Sequence, residues 1–143
     1  MALVEISAAI PASPSDVWDD LAQLGSHQEW MSDAESITFV GDTTSGIGTI
    51  MEVVTKVGPF RTTDVMEFIA WDPPKTMAVL HRGAFEGTGT FSLDAEGDGA
   101  TRLWWREELR FPWYFAGPIG ARIATPILRR IWRGNLKRLA ARF

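Results

Sequence analysis

The sequence predicts an α+β fold in which a curved antiparallel sheet of six to seven strands wraps around a long C-terminal helix, with two short helices after the first strand. Three observations predict it. An alternating strand precedes two segments with helix-start signals, residues 34–111 are typical of strands joined by turns, and residues 118–143 carry apolar side chains at helical spacing. The chain contains no repeat, long linker or low-complexity tract, so we expect a single domain, residues 1–143.

The N-terminal segment predicts one strand and two short helices. Residues 4–10 alternate between apolar and polar or small side chains, which is strand periodicity. Ser13 and Pro14 are typical of a helix cap and a first helical position, and this helix should end at Gly25. Residues 26–29 have the spacing of a capping box, which predicts a second short helix.

The middle of the chain predicts a strand meander. The predicted strands are residues 35–40, 48–57, 60–71, 76–83, 85–94 and 100–110. Their connections are short and rich in Gly, Pro and Asp, so consecutive strands should pair antiparallel.

The last element is a helix over residues 118–142. Its predicted apolar stripe consists of Ile119, Ile123, Ile127, Leu128, Ile131, Leu136 and Leu139, with arginines and lysines between them. A helix of about 20 residues is about 30 Å long, which is enough to cross the concave face of the sheet. Pro126 should kink or interrupt it near its first turns.

Charge is distributed unevenly along the chain. Residues 1–100 hold 16 acidic and 4 basic side chains, whereas residues 101–143 hold 2 acidic and 10 basic ones. Such a split is typical either of a basic tail for nucleic acid or membrane, or of a basic helix packed beside an acidic sheet. The basic residues are interleaved with apolar ones, which favours the second interpretation, and we expect no nucleic-acid partner.

Several site classes are excluded by residue content. The chain has no cysteine, and its two histidines, His27 and His81, have no metal-ligand spacing, so we expect neither a metal nor a cofactor. The glycine motifs at residues 46–48 and 87–89 are not followed by helices, which argues against a dinucleotide site. The N-terminus lacks the pattern of a signal peptide and no run is long enough to span a membrane, so we expect a soluble, cytoplasmic protein.

Short motifs occur in a recognisable order along nearly the whole chain. They are residues 10–18, Trp30, residues 46–48, residues 71–74, residues 87–89 and residues 97–102. On these motifs the chain resembles the START-like helix-grip superfamily (SRPBCC), and most of all its bacterial polyketide cyclase/dehydrase and lipid-transport branch. The resemblance implies the helix-grip fold, in a monomer or homodimer, with a cavity between sheet and helix for a hydrophobic small molecule. Members share no catalytic motif, so it implies no catalytic residue.

Strand alternation predicts which side chains face this cavity. Within residues 101–111 the odd positions are mainly apolar, which places Trp105 and Glu107 inward. In residues 60–71 an even set, with Thr62, Asp64, Met66 and Phe68, competes with an odd set of Val65, Ile69 and Trp71, and we favour the even set. The predicted ligand-binding residues are Trp30, Asp64, Met66, Met77, Val79, His81, Phe91, Trp105, Glu107, Ile123 and Ile127.

The polar members of this set, Asp64, His81 and Glu107, are the candidates for chemistry. Burial would raise the pKa of an inward carboxyl group, which could then act as an acid or a base, as could His81 near neutral pH. Glu107 could instead orient the polar end of a ligand, or pair with His81 or an arginine for structural reasons.

The aromatic residues could likewise have a structural or a functional role. Trp18 is expected in the core, whereas Trp30 and Trp105 are open to core packing or to the pocket wall. The cluster at residues 113–115 is interpreted as ordinary packing, as a gate, or as a lip for transient membrane contact.

Three functional hypotheses follow. The first is a binding or carrier protein for a lipid, a polyketide or a similar apolar molecule. The second is a polyketide cyclase or dehydratase that uses a pocket carboxylate or histidine, so the sequence leaves open whether the protein is an enzyme. The third is an interaction module, such as a toxin component, because residues 115–120 resemble a subgroup with relatives proposed in that role.

Overall fold

A computed structural model describes residues 2–143. Its strands are β1 (Ala2–Ile10), β2 (Ala34–Val40), β3 (Ile50–Val57), β4 (Phe60–Asp72), β5 (Thr76–Gly83), β6 (Glu86–Ala95) and β7 (Thr101–Arg110). Its helices are α1 (Pro14–Leu21), a 3₁₀ helix (Leu24–Glu29), a 3₁₀ turn (Trp113–Phe115) and α2 (Gly117–Ala140).

The strands form a single seven-stranded sheet. Their order is β1-β7-β6-β5-β4-β3-β2, and all six neighbouring pairs are antiparallel. Strands β2 to β7 and α2 all contribute side chains to one cavity, so the sheet curves around it. The predicted fold class, a helix-grip architecture with a long C-terminal helix, is confirmed.

Helix α1 begins as predicted but ends earlier. The Ser13 hydroxyl accepts a hydrogen bond from the Asp16 backbone N–H at 3.2 Å, and Pro14 occupies the first turn. The helix stops at Leu21, and Gly25 lies inside the following 3₁₀ helix. The predicted capping box at residues 26–29 is wrong, because Ser26 already lies within that helix and its hydroxyl donates to the Gln23 carbonyl at 2.7 Å.

A register shift in β4 explains why two strand phases competed in the sequence. Thr62, Asp64, Met66 and Phe68 face the cavity, as the favoured even phase predicted. The pairing with β5 shifts between Phe68 and Ala70, which leaves Ile69 exposed. Trp71 then returns to the inner side, where its ring centroid lies 5.3 Å from that of Trp18, a core residue as predicted.

Helix α2 packs against β1 and β7 and runs without interruption through Pro126. Its buried face consists of Gly117, Ala121, Trp132, Asn135, Leu136 and Leu139. In the first half of the helix the predicted apolar stripe lies outside this buried face: Ile119, Ile123 and Ile127 are 70%, 63% and 50% exposed, although Ile123 and Ile127 line the cavity. Neither α2 nor any other helix within residues 2–143 is long and apolar enough to cross a membrane.

Buried polar groups fix α2 to the segment before β2. The Asn135 side chain is fully buried, donates to Asp33 Oδ1 at 2.8 Å and accepts from the Ser32 backbone N–H at 3.0 Å. The Trp132 indole donates to Asp33 Oδ2 at 3.0 Å. Because every one of these groups would be costly to bury alone, the network holds α2 at one position over the sheet.

Candidate functional site

The cavity between the sheet and α2 has a volume of about 560 Å³. This lies within the range of roughly 300–1,000 Å³ that is typical of small-molecule sites. Of the predicted ligand-binding residues, Asp64, Met66, Met77, Val79, His81, Phe91, Trp105, Glu107, Ile123 and Ile127 lie on its wall. That these side chains contact a ligand stays a prediction.

Trp30 is the predicted site residue that the structure places elsewhere. It is 1% exposed and does not line the cavity, because it lies behind Trp105 and Phe91, with ring centroids 6.2 Å and 6.1 Å away. Its indole Nε1 is the one buried side-chain polar atom among residues 2–143 that lacks a hydrogen-bond partner. Trp30 therefore supports the wall as a core residue.

Glu107 lies at the centre of the polar part of the wall. Its Oε2 accepts a hydrogen bond from His81 Nε2 at 2.8 Å, and its Oε1 accepts one from the Trp105 indole at 2.9 Å. On the neighbouring strand it faces Gly89, where a Cβ would lie only 2.5 Å from Oε1. A glycine at position 89 is thus what leaves room for the carboxylate.

His81 is paired with Glu107 and is 7% exposed. Burial lowers its pKa, but the charge and the hydrogen bond of Glu107, with a further contribution from the Asp64 charge, outweigh it and hold the pKa above 6.5. Its Nδ1 makes no hydrogen bond within the described part of the chain, yet it is not sealed in the core. His81 can therefore present an N–H donor to a molecule in the cavity that it lines.

Asp64 is the second carboxyl group on this wall. It is 5% exposed, and burial raises its pKa even though its Oδ1 accepts a 3.3 Å hydrogen bond from the Phe85 backbone. Gly83, opposite it on β5, is needed here because a Cβ would lie 2.6 Å from Oδ1.

Trp132 and His27 are two of the wall residues that the sequence did not identify. Trp132 stacks on Trp105, with ring centroids 5.0 Å apart and planes inclined by 19°. Its position four residues before Leu136 could have identified it. His27 also lines the cavity; its Nε2 hydrogen-bonds the Leu21 carbonyl at 2.7 Å, and burial lowers its pKa to about 4. No sequence pattern marks that role.

The cavity opens to solvent beside the first half of α2. Phe60, Ile123 and Ile127 line the cavity and are also half or more exposed, so they form the rim of its mouth. Phe115 packs against Phe60, with ring centroids 5.8 Å apart. The aromatic cluster of residues 113–115 therefore lies beside the mouth, with Trp113 86% exposed.

This arrangement can hold an apolar body and hydrogen-bond one polar end. The cavity wall is mostly apolar, and among its ionisable groups His81 interacts with both Glu107 and Asp64. Among residues 2–143 no three His, Asp or Glu side chains are grouped so that they could hold a metal ion.

Comparison with known families gives one match over the complete chain. The profile of the family described as "Polyketide cyclase / dehydrase and lipid transport" matches residues 1–143. A curated relative, an uncharacterised protein of Mycobacterium tuberculosis, is 31% identical over 83 residues, which span 58% of this chain and 58% of that protein.

Solved structures with this fold include two close overlays. A protein from Thermus thermophilus has a TM-score of 0.78 at 22% identity, covering 98% of this chain and 95% of that one. The Zhui aromatase/cyclase from a Streptomyces species has a TM-score of 0.78 at 15% identity, covering 98% and 92%. At such identities the likeness shows the fold alone.

Proposed function

Since this chain belongs to the polyketide cyclase/dehydrase and lipid transport family, we propose that it binds an apolar small molecule in the cavity between the sheet and α2. The ligand's polar end lies against Glu107 and His81, and its apolar body fills the remaining space. Lipids, polyketides and molecules of similar polarity fit this description.

The observation that carries the proposal is a cavity of about 560 Å³ whose apolar wall is interrupted by a buried ion pair. A void of this size leaves the lining side chains without packing partners, which destabilises a fold unless something fills it. The void has a mouth rimmed by Phe60, Ile123 and Ile127, so a ligand has an entry path.

The pair itself supports a role in orienting the ligand. Removing Glu107 and His81 from water costs several kcal/mol each, and apolar residues at both positions would often be neutral or stabilising. The chain nevertheless provides Gly89 for space and Trp105 as an additional donor to the carboxylate. A hydrogen-bonding ligand group gives this arrangement a purpose that stability alone does not.

Uptake of the apolar fluorophore N-phenyl-1-naphthylamine tests the binding proposal. Val79→Trp places an indole inside the cavity and should weaken uptake at least about tenfold, because it removes part of the available volume. Leu80→Trp, the matched control, places the same indole on the opposite face of β5 and should leave uptake unchanged. Equal uptake by both variants would refute binding in this cavity.

A second candidate function is proton-transfer catalysis on a polyketide-like substrate. It is favoured by the geometry of His81, which lines the cavity with an Nδ1 that makes no hydrogen bond within residues 2–143, while Glu107 holds the pKa of this histidine above its ordinary value. A protonated His81 could donate its proton to a substrate carbonyl oxygen while the carboxylate of Asp64, on the same wall, accepts the proton that leaves the α-carbon, so that an enol forms. Deuterium incorporation next to the carbonyl of a β-diketone probe in D₂O tests it, and His81→Gln should abolish any acceleration.

A further inference from the structure

An exposed apolar surface lies beside the mouth of the cavity. We define the mouth face as Trp113, Tyr114, Ile119, Ile123 and Ile127, which are 86%, 57%, 70%, 63% and 50% exposed. The three isoleucines are spaced by four residues and so form one stripe along α2. Trp113 and Tyr114 lie in the turn immediately before that helix. Contiguous exposed apolar surface of this kind marks an interaction site.

The same half of the molecule carries cations without partners. Residues 109–143 contain no acidic side chain. On α2 the exposed or partly exposed Arg122, Arg129, Arg130, Arg133 and Lys137 make no ion pair with any residue in the range 2–143.

Four of the five arginines on the sheet form ion pairs within residues 2–143, and Arg110 at the end of β7 does not. Arg61, Arg82, Arg102 and Arg106 on the sheet are each paired with a glutamate. The absence of carboxylates is therefore a local property of residues 109–143, where five positive charges share α2 with three exposed isoleucines.

We propose that the mouth face and the cations of α2 dock on the surface of an anionic lipid bilayer. Amphipathic aromatic side chains are favoured at the headgroup level, where one edge contacts water and the other contacts acyl chains. Binding is also favoured when exposed isoleucines bury apolar surface in the same layer. Each nearby arginine or lysine is attracted by the negative surface potential of the bilayer. The surface thus combines the two contributions that interfacial binding needs.

Charge argues against a second copy of the chain as the occupant. In a symmetric dimer through this face, the same patch would meet itself, so five cations would face five cations without compensating carboxylates. An anionic bilayer supplies the opposite charge and an apolar layer together, which fits both halves of the surface.

The position of the face has a consequence for the cavity. Ile123 and Ile127 belong both to the mouth face and to the cavity wall. Docking therefore turns the cavity mouth toward the acyl layer, so that an apolar ligand could enter without crossing water. This consequence rests on the proposed binding function, whereas docking itself does not.

Vesicle flotation tests the proposal with defined lipids. The full chain should float with vesicles of phosphatidylglycerol mixed with phosphatidylcholine, and at least about tenfold less with phosphatidylcholine alone, because several cations contribute. High salt should weaken binding to the anionic vesicles. Failure to float with anionic vesicles, or equal binding to both kinds, would overturn the proposal.

Paired variants locate the surface. Trp113→Ala and the charge reversal Arg130→Glu/Arg133→Glu should each reduce flotation at least about tenfold, since each removes one of the two contributions. Their controls are Trp104→Ala, which removes an exposed tryptophan from β7, and Lys75→Glu, which reverses a cation outside α2. Equal losses in test and control variants would overturn the assignment.

Two further measurements distinguish a loss of membrane docking from misfolding, loss of ligand binding and dimer formation. Uptake of N-phenyl-1-naphthylamine by Trp113→Ala in solution should match that of the wild type, so a loss of flotation with normal uptake counts against neither folding nor ligand binding. Sedimentation analysis should give a monomer. A dimer that Ile119→Asp dissociates, together with no flotation, would assign the face to a second copy and refute the membrane proposal.

Discussion

Nε2 of His81 lies 2.8 Å from Oε2 of Glu107, and both residues are more than nine-tenths buried in the wall of an apolar cavity. The other carboxylate oxygen accepts from the Trp105 indole. Each partner makes burial of the other tolerable, because an isolated charge in this environment would be neutralised or would destabilise the fold.

The first prediction concerns the protonation of His81. Glu107→Gln keeps the shape of the side chain but removes the charge that opposes the effect of burial. The pKa of His81, which lies above 6.5 in the wild type, should therefore fall below 6.5. An NMR titration of the two histidine ring signals measures this, with His27 as an internal reference that should not change. An unchanged His81 pKa would show that the pair is not coupled as described.

The sign of the pH dependence follows from the same shift. Because the folded-state pKa of His81 is raised, protonation of His81 stabilises the fold fully below its unfolded value of about 6.5, and the contribution disappears as pH rises through the folded-state pKa. In Glu107→Gln, where the pKa of His81 should lie below 6.5, the sign should reverse, so that this group lowers the free energy of unfolding as pH falls below about 6.5.

The second prediction separates a structural from a functional role of the pair. Glu107→Leu alone should destabilise the fold by about 3 kcal/mol, because it leaves His81 and the Trp105 indole without their acceptor. Adding His81→Leu should recover much of that loss, as apolar replacements of buried ion pairs often do. Urea unfolding of the two single variants and the double variant measures the coupling. Native mass spectrometry should find that the double variant retains less bound ligand than the wild type. Retention at the wild-type level would show that the pair has a structural role only.

The third prediction concerns the space that Gly89 provides. In Gly89→Ala the new methyl group would lie 2.5 Å from Glu107 Oε1, so the carboxylate must move away from Trp105 or His81. We expect a loss of about 1–3 kcal/mol in the free energy of unfolding, as for other disrupted buried hydrogen bonds. Gly25→Ala is the matched control, because its methyl group would meet Phe39 at an ordinary 3.7 Å. Comparable stability of both variants would mean that Glu107 tolerates displacement.

The fourth prediction concerns acid sensitivity. Burial lowers the pKa of His27 to about 4, so the folded state resists a proton that the unfolded chain accepts near 6.5. Through His27, the free energy of unfolding should therefore decrease by about 2 kcal/mol as pH falls from 7.5 to 5. His27→Gln retains a side-chain donor for the Leu21 carbonyl but does not titrate. Over the same pH range the free energy of unfolding of this variant should therefore decrease by about 2 kcal/mol less than that of the wild type. Parallel urea titrations at the two pH values measure the difference, and identical pH dependence would contradict the assignment.

Much of the fold could be predicted from local patterns. Periodicity and turn residues located the strands, and alternation in residues 101–111 placed Trp105 and Glu107 inward. Where the sequence misled, a local irregularity was responsible. One shift of register in β4 reverses the face on which side chains lie, so neither phase described the complete strand.

The candidate site was only partly predictable because it depends on tertiary contacts. Isoleucines at helical spacing predicted an apolar stripe on α2, but the spacing did not show that Trp132 and Asn135 are buried, because both are held by Asp33 from a distant segment. The pairing of His81 with Glu107 joins side chains 26 positions apart in the sequence, and the burial of His27 likewise follows from packing. Neither relationship is expressed in a local pattern.

Native mass spectrometry of the purified chain, followed by organic extraction, tests the central claim most directly. The account predicts an added mass corresponding to one apolar molecule on the wild-type protein, absent from Val79→Trp because the indole occupies the cavity, and retained on Leu80→Trp. The extract should contain a molecule with an apolar body and at least one hydrogen-bonding group. A wild-type protein that carries only its own mass and takes up no N-phenyl-1-naphthylamine, or a bound molecule that Val79→Trp retains in full, would contradict it.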